Sequence, residues 1–139
     1  MHQFTIIRNS KPYSFDGKLL ANVKGNPVRV DDGEYRYHLL VYRASSGTFV
    51  SVIELLSPTA AEYVLSLADE MDPLNDVEDF FFSFEPAELL PDALVSLPGE
   101  KRAALLGRLY LEFEQQVGIL LRNLNSGATN ERASNQVHR

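Results

Sequence analysis

Between Ala103 and Leu124, apolar side chains recur at alternating spacings of three and four: Ala103, Leu106, Tyr110, Phe113, Val117, Leu120 and Leu124. That period keeps one apolar seam on one side of an α-helix over roughly three heptads. A seam has to be covered, by the rest of the same molecule or by a second copy of it. The spacing predicts a helix over residues 100–123. Leu105, Leu109 and Leu121 widen the apolar stripe beyond a strict two-in-seven pattern, which suits a helix lying on a sheet better than a free two-stranded coil. Leu111 and Ile119 point away from the stripe, and Gly107 and Gly118 leave room for close approach. A helix that is apolar on more than one side predicts a second partner, here a homodimer built on this helix.

The surface for the seam to cover comes from the first 56 residues, which carry β signals. Phe4 to Arg8 is a short β-prone run that Ser10-Lys11-Pro12 breaks, and Asp16-Gly17 reads as a turn. Lys18 to Lys24 predicts a second strand, closed by Gly25-Asn26-Pro27. Val28 to Val30 fits a brief edge strand, because Pro27 cannot donate to a ladder, and Asp31-Asp32-Gly33 marks another turn. The strongest signal is a hairpin, Tyr35 to Arg43 and Thr48 to Leu56, around Ala44-Ser45-Ser46-Gly47. Tyr35, Tyr37, Leu39 and Val41 share one face of its first arm; Arg36, His38, Leu40 and Tyr42 share the other. A four-residue loop would set Val41 opposite Val50 and Leu39 opposite Val52 as the core face, leaving Tyr42, Phe49 and Ile53 half covered on the other.

From Ser57 the period turns helical. Ser57 fits an N-cap and Pro58 a first helical residue, with Ala61, Val64, Ala68 and Met71 along one side and Asp72-Pro73 as the stop. Val77 and Phe80-Phe81-Phe82-Ser83-Phe84 fit either a strand with Phe80, Phe82 and Phe84 on one face or an apolar turn pinned to the helices. Pro86 suits a helix start, and Pro91 a break. Residues 126–139 are polar and small, and predict a disordered tail after a single domain of residues 1–125. Strands first and helices after indicate an α+β fold: an antiparallel sheet of about four strands covered by helices, one of them long.

Charge is segregated along the chain. Of a net charge of −6, residues 69–92 hold nine carboxylates and no Lys or Arg, while the remainder holds 13 basic and 10 acidic residues. Such a patch repels phosphate backbones and attracts basic protein surfaces or divalent cations. Basic residues are scattered (Arg8, Lys11, Lys18, Lys24, Arg29, Arg36, Arg43), unlike a nucleic-acid footprint, so no nucleic-acid partner is expected. With no Cys there is no disulfide, thiol chemistry or Cys-ligated metal. The first eight residues lack the pattern of a secretory leader, and no run approaches the roughly 18 apolar residues of a membrane helix, so a cytoplasmic protein without a membrane partner is expected.

Nucleophile elbows, phosphate-binding glycine loops and EF-hand spacing are all missing, so neither an enzyme nor a cofactor is expected. Of His2, His38 and His138, only His38 sits in a predicted element, on a partly exposed sheet face. Catalysis there would need a concave pocket around Arg36, His38 and Tyr42. The favoured expectation is a homodimeric, non-catalytic interaction or regulatory protein that binds another protein, one with a basic surface. It would use an acidic, Phe-containing surface whose candidate residues are Glu78, Asp79, Phe81, Leu111 and Ile119. The alternative is a calcium or small-ligand binder using the 69–92 carboxylates.

Overall fold

The computed structural model describes residues 2–30, 33–57, 63–72 and 74–137, without side-chain environments for Val30, Tyr63, Val64, Ala93 and 127–137. The elements are β1 (His2–Arg8), β2 (Lys11–Lys24), β3 (Val28–Val30), β4 (Gly33–Ala44), β5 (Phe49–Ser57), β6 (Tyr63–Met71), α1 (Leu74–Phe82), a 3₁₀ turn (Pro86–Leu89), α2 (Asp92–Val95) and α3 (Gly99–Val137). The class is α+β, as expected, with more strands than expected. They form one antiparallel sheet in the order β1-β2-β4-β5-β6, with β3 paired to β4 beyond the end of β2. No described helix is long and apolar enough to cross a membrane.

Local chemistry explains the first hairpin. Asn9 and Ser10 take φ of 52° and 63°, the left-handed pair that a two-residue turn between twisted strands requires. Asp16-Gly17 is not the expected turn but lies inside β2. There β2 changes neighbours: Lys11–Gly17 pairs with β1, and Gly17–Lys24 pairs with β4. A Cβ on Gly17 would collide with the Arg43 carbonyl, so the crossing of three strands needs glycine. An irregularity between Leu19 and Ala21 then bends β2, which curls the sheet.

The β4–β5 hairpin is present, but its register is one residue from the expected one. Gly47 takes φ +98°, and Ala44 N donates to the Thr48 carbonyl, so five residues separate the last pair, Arg43 and Phe49. Tyr42, not Val41, opposes Val50, and Leu40, not Leu39, opposes Val52. A slip of one residue exchanges the two faces of a strand. Ile53 and Leu55 therefore join Tyr35, Tyr37, Leu39 and Val41 in the main core, while Val50 and Val52 join Leu40 and Tyr42 on the opposite face.

The helix expected from Ser57 to Asp72 is instead strand β6, paired with β5 from Phe49↔Met71 to Ser57↔Tyr63. Pro58, Ala61 and Pro73 of that expectation, like Asp31 and Asp32 of the expected turn, lie outside the described residues. The physical reason lies in β5. Val50, Ser51, Val52, Ile53 and Leu55 are all buried, so β5 is apolar on both faces and needs a hydrogen-bonded neighbour on each side. Conversely, the Phe-rich segment is a helix, α1, neither the strand nor the turn expected. Val77 and Phe81, four residues apart, face the core.

The long seam helix lies across one face of the sheet, as its stripe predicts. Leu105, Leu109, Phe113, Val117, Leu120 and Leu124 are buried, whereas Leu106 is half-buried and Ala103 and Tyr110 are exposed. Its core stripe thus follows the first of these leucines rather than the strict seam in its first turns. Tyr37, Phe84 and Phe113 pack ring against ring beneath it, with centroids 4.7–6.0 Å apart. Polar contacts pin it to the β2–β3 turn and to β3: Asn26 N donates to Glu112 Oε1 (2.7 Å), and Arg108 donates to the Arg29 carbonyl (2.9 Å). Beyond Ser126, the expected polar tail falls on residues whose side chains lie outside the described set.

Candidate functional site

Two regions are candidate sites: the outward helical surface and a cleft where the curled sheet fails to close. On α1, Val77 and Phe81 turn inward, so Glu78, Asp79 and Phe82 turn outward. Phe82 follows Glu78 by four residues and Asp79 by three, which places the ring beside both carboxylates on one helix face. It is 66% exposed, whereas Phe81, the expected contact residue, is wholly buried as part of the core. The signal for this in the sequence is the i, i+4 apolar pair Val77 and Phe81, which marks the inward face of a helix.

The acidic stretch divides into two parts. Asp69 and Glu70 are engaged within the molecule: Arg8 donates to Asp69 Oδ1 at 3.0 Å, and the Tyr13 and Thr48 hydroxyls donate to Glu70 at 3.0 and 2.8 Å. Burial, reinforced by the bond to Glu70 and its charge, raises the Tyr13 hydroxyl above its ordinary pKa, although Arg8 pulls the other way. These contacts tie β1, β2 and the β4–β5 loop to β6. Asp72, Asp76, Glu78, Asp79, Glu85, Glu88 and Asp92 are exposed. Glu88 Oε2 accepts from Glu85 N and so helps cap the 3₁₀ turn. Among the described residues, no group of three or more His, Asp or Glu lies close enough together to hold a metal ion.

On α3, Leu111 is 62% and Ile119 36% exposed, on the side away from the sheet. A Cβ built on Gly107 or Gly118 meets nothing within 4 Å, so the outer face is open at both glycines. The structure does not bring all five expected residues together: Glu78 and Asp79 share α1, Leu111 and Ile119 share α3, and Phe81 lies inside.

The cleft was not foreseen as a site, beyond the requirement that catalysis would need a pocket around Arg36, His38 and Tyr42. It measures about 460 Å³ and opens between β1 and β6. Thr5, Ile6, Ile7 and Ser10 line it from β1 and the adjoining turn, and Leu65 and Ser66 from β6. Leu40, Tyr42 and Glu54 complete the lining from the two central strands. The β4–β5 register sets His38 opposite Glu54, and His38 Nδ1 lies 3.1 Å from Glu54 Oε1. Rings of Phe4 and Phe15 hold Tyr42 in place at 4.7 and 5.3 Å. Burial, and secondarily the Glu54 charge, raises the Tyr42 hydroxyl above its ordinary pKa. Arg36 stands one pleat beyond His38 on β4, with its buried Nε unpartnered among the described residues. Comparison with protein-family models, with curated proteins and with solved structures yields no match.

Proposed function

We propose that this protein is a non-catalytic interaction module. It docks a basic protein surface on the outer face of α1 and pairs with a second copy of itself through the outer face of α3. The observation that carries the docking reading is Phe82, a large apolar ring 66% exposed beside Glu78 and Asp79. It lies within residues 69–92, a stretch of sequence that carries nine carboxylates and no Lys or Arg. Burying one such ring contributes roughly 1.5–3 kcal/mol. The flanking carboxylates select a partner with Lys or Arg beside an apolar pocket and speed the encounter. Relative to the sequence expectation, Phe82 replaces Phe81 as the apolar contact. Pairing through α3 rests on Leu111 and Ile119 beside two glycines that admit a close neighbour.

Affinity capture with the wild-type chain, Asp79→Lys and Phe82→Ala, each verified as folded by circular dichroism, tests the docking surface. The wild type is expected to retain a basic partner that both variants lose; equal recovery in all three overturns the reading. Light scattering of the wild type and Leu111→Glu tests the pairing, with a dimer expected to become a monomer. A wild-type monomer at high micromolar concentration removes the homodimer.

A further inference from the structure

We propose that the cleft between β1 and β6 binds a small amphiphilic amine, with its ammonium group on Glu54 and its apolar body along Ile6, Leu40 and Tyr42. This site is independent of the α1 and α3 surfaces. Its volume of about 460 Å³ falls within the range of small-molecule sites and holds a ligand of on the order of ten heavy atoms. Glu54 is the one charged side chain among the described residues that line it. The bond described for Glu54 runs through Oε1 to His38 Nδ1, which orients the carboxylate and leaves Oε2 to accept from a ligand. The Glu54 side chain is 28% exposed, so the carboxylate is reachable yet partly shielded from water, where a charge-assisted hydrogen bond gains strength. Ile6 and Leu40, fixed in the concave core, present an apolar wall beside it. An anionic ligand would meet the Glu54 charge with no cation in the lining to offset it, because Arg36 is not one of the lining residues. A metal ion would find a single carboxylate.

The test is a titration of the ¹⁵N-labelled full chain, followed by amide chemical shifts, with n-hexylammonium, 1-hexanol and hexanoate at one pH and ionic strength. Hexylammonium is expected to give saturable shifts at Thr5, Ile6, Leu40, Tyr42, Glu54 and Ser66. Hexanol should bind roughly tenfold more weakly, and hexanoate more weakly still, because a hydrogen bond to a charged group contributes about 1.5–3 kcal/mol. Glu54→Gln should weaken hexylammonium by roughly tenfold and leave hexanol unchanged. Ser66→Lys, at the half-buried position opposite Glu54 on β6, places a cation beside the carboxylate and should weaken hexylammonium severalfold. Absence of saturable shifts with hexylammonium overturns the proposal, and so does hexanoate binding as tightly. Unchanged hexylammonium affinity in folded Glu54→Gln also overturns it. If Glu54→Gln fails to fold, the same result in Ser66→Lys decides against it.

Discussion

The two faces of the sheet are closed by different means. The convex face carries Tyr37, Leu39, Val41, Ile53 and Leu55 and is roofed by α1 and α3, whose Phe81, Leu109 and Leu120 are fully buried. The concave face carries Ile6, Phe15, Leu40, Tyr42, Val50, Val52 and Ala68, and no described helix packs over it; the sheet curls over its own residues. A helix can slide and rotate until its stripe fills the space against a sheet. A curled sheet has less freedom, since strand spacing and twist are set by backbone bonding. The helical roof buries Phe81, Leu109 and Leu120 fully, whereas the curl leaves a gap between β1 and β6, and that gap is the cleft. Polar ties across the seam, from Arg8 on β1 and Tyr13 on β2 to Asp69 and Glu70, hold β6 near the β1–β2 turn.

This contrast is open to mutation. The largest effect is expected from Leu109→Ala under the helical roof: a fully buried leucine in close-packed surroundings should cost about 3–5 kcal/mol in urea unfolding. On the concave side, Leu40→Ala should cost less, about 2 kcal/mol, because Leu40 already borders open space and its removal enlarges a cleft rather than creating a sealed cavity. Equal losses in the two variants would break the comparison and show that both faces are packed alike.

A smaller effect is expected at Tyr37. Its ring is in the convex core, and its hydroxyl is buried without a hydrogen-bond partner among the described residues. Tyr37→Phe removes an unsatisfied group and should leave stability at neutral pH unchanged or raised by up to about 1 kcal/mol. Burial raises the Tyr37 pKa far above its ordinary value of 10.0. A raised folded-state pKa means that this group's contribution is fully present below pH 10 and is lost as pH rises further, where only the unfolded chain ionises. Unfolding free energies at pH 8 and pH 11 should therefore fall less in Tyr37→Phe than in the wild type. The smallest effect belongs to the seam. Arg8→Ala should cost under about 1 kcal/mol, shrinking with added salt, because Asp69 is largely exposed. A loss of several kcal/mol would instead make this tie a principal support of the curl.

Much of the convex side was legible in the residues. The alternation Tyr35, Tyr37, Leu39, Val41 identified the core face of β4, and the apolar stripe of residues 105–124 identified the covering helix. Pro86 marked the start of the 3₁₀ turn, and Pro91 the break before α2. The concave side was not legible, for two reasons. The stretch Ala61, Val64, Ala68, Met71 has a helical spacing that the need of β5 for a second neighbour overrides. The left-handed Gly47 adds one residue to the β4–β5 loop, and that residue carries Glu54 to the face of His38. Of the acidic surface, Glu78 and Asp79 were legible as exposed, whereas the choice between Phe81 and Phe82 needed α1 to be a helix.

By itself the sequence determined what local periodicity and backbone chemistry control: strands before helices, one face of β4, the long amphipathic helix and the segregation of carboxylates into residues 69–92. Only the tertiary structure decided the identity of β6, the helical state of the Phe-rich segment, the β4–β5 register and the cleft. The physical reason is that side-chain periodicity is a property of one segment, whereas strand pairing and curl are properties of two or more segments competing for the same backbone hydrogen bonds and the same buried space.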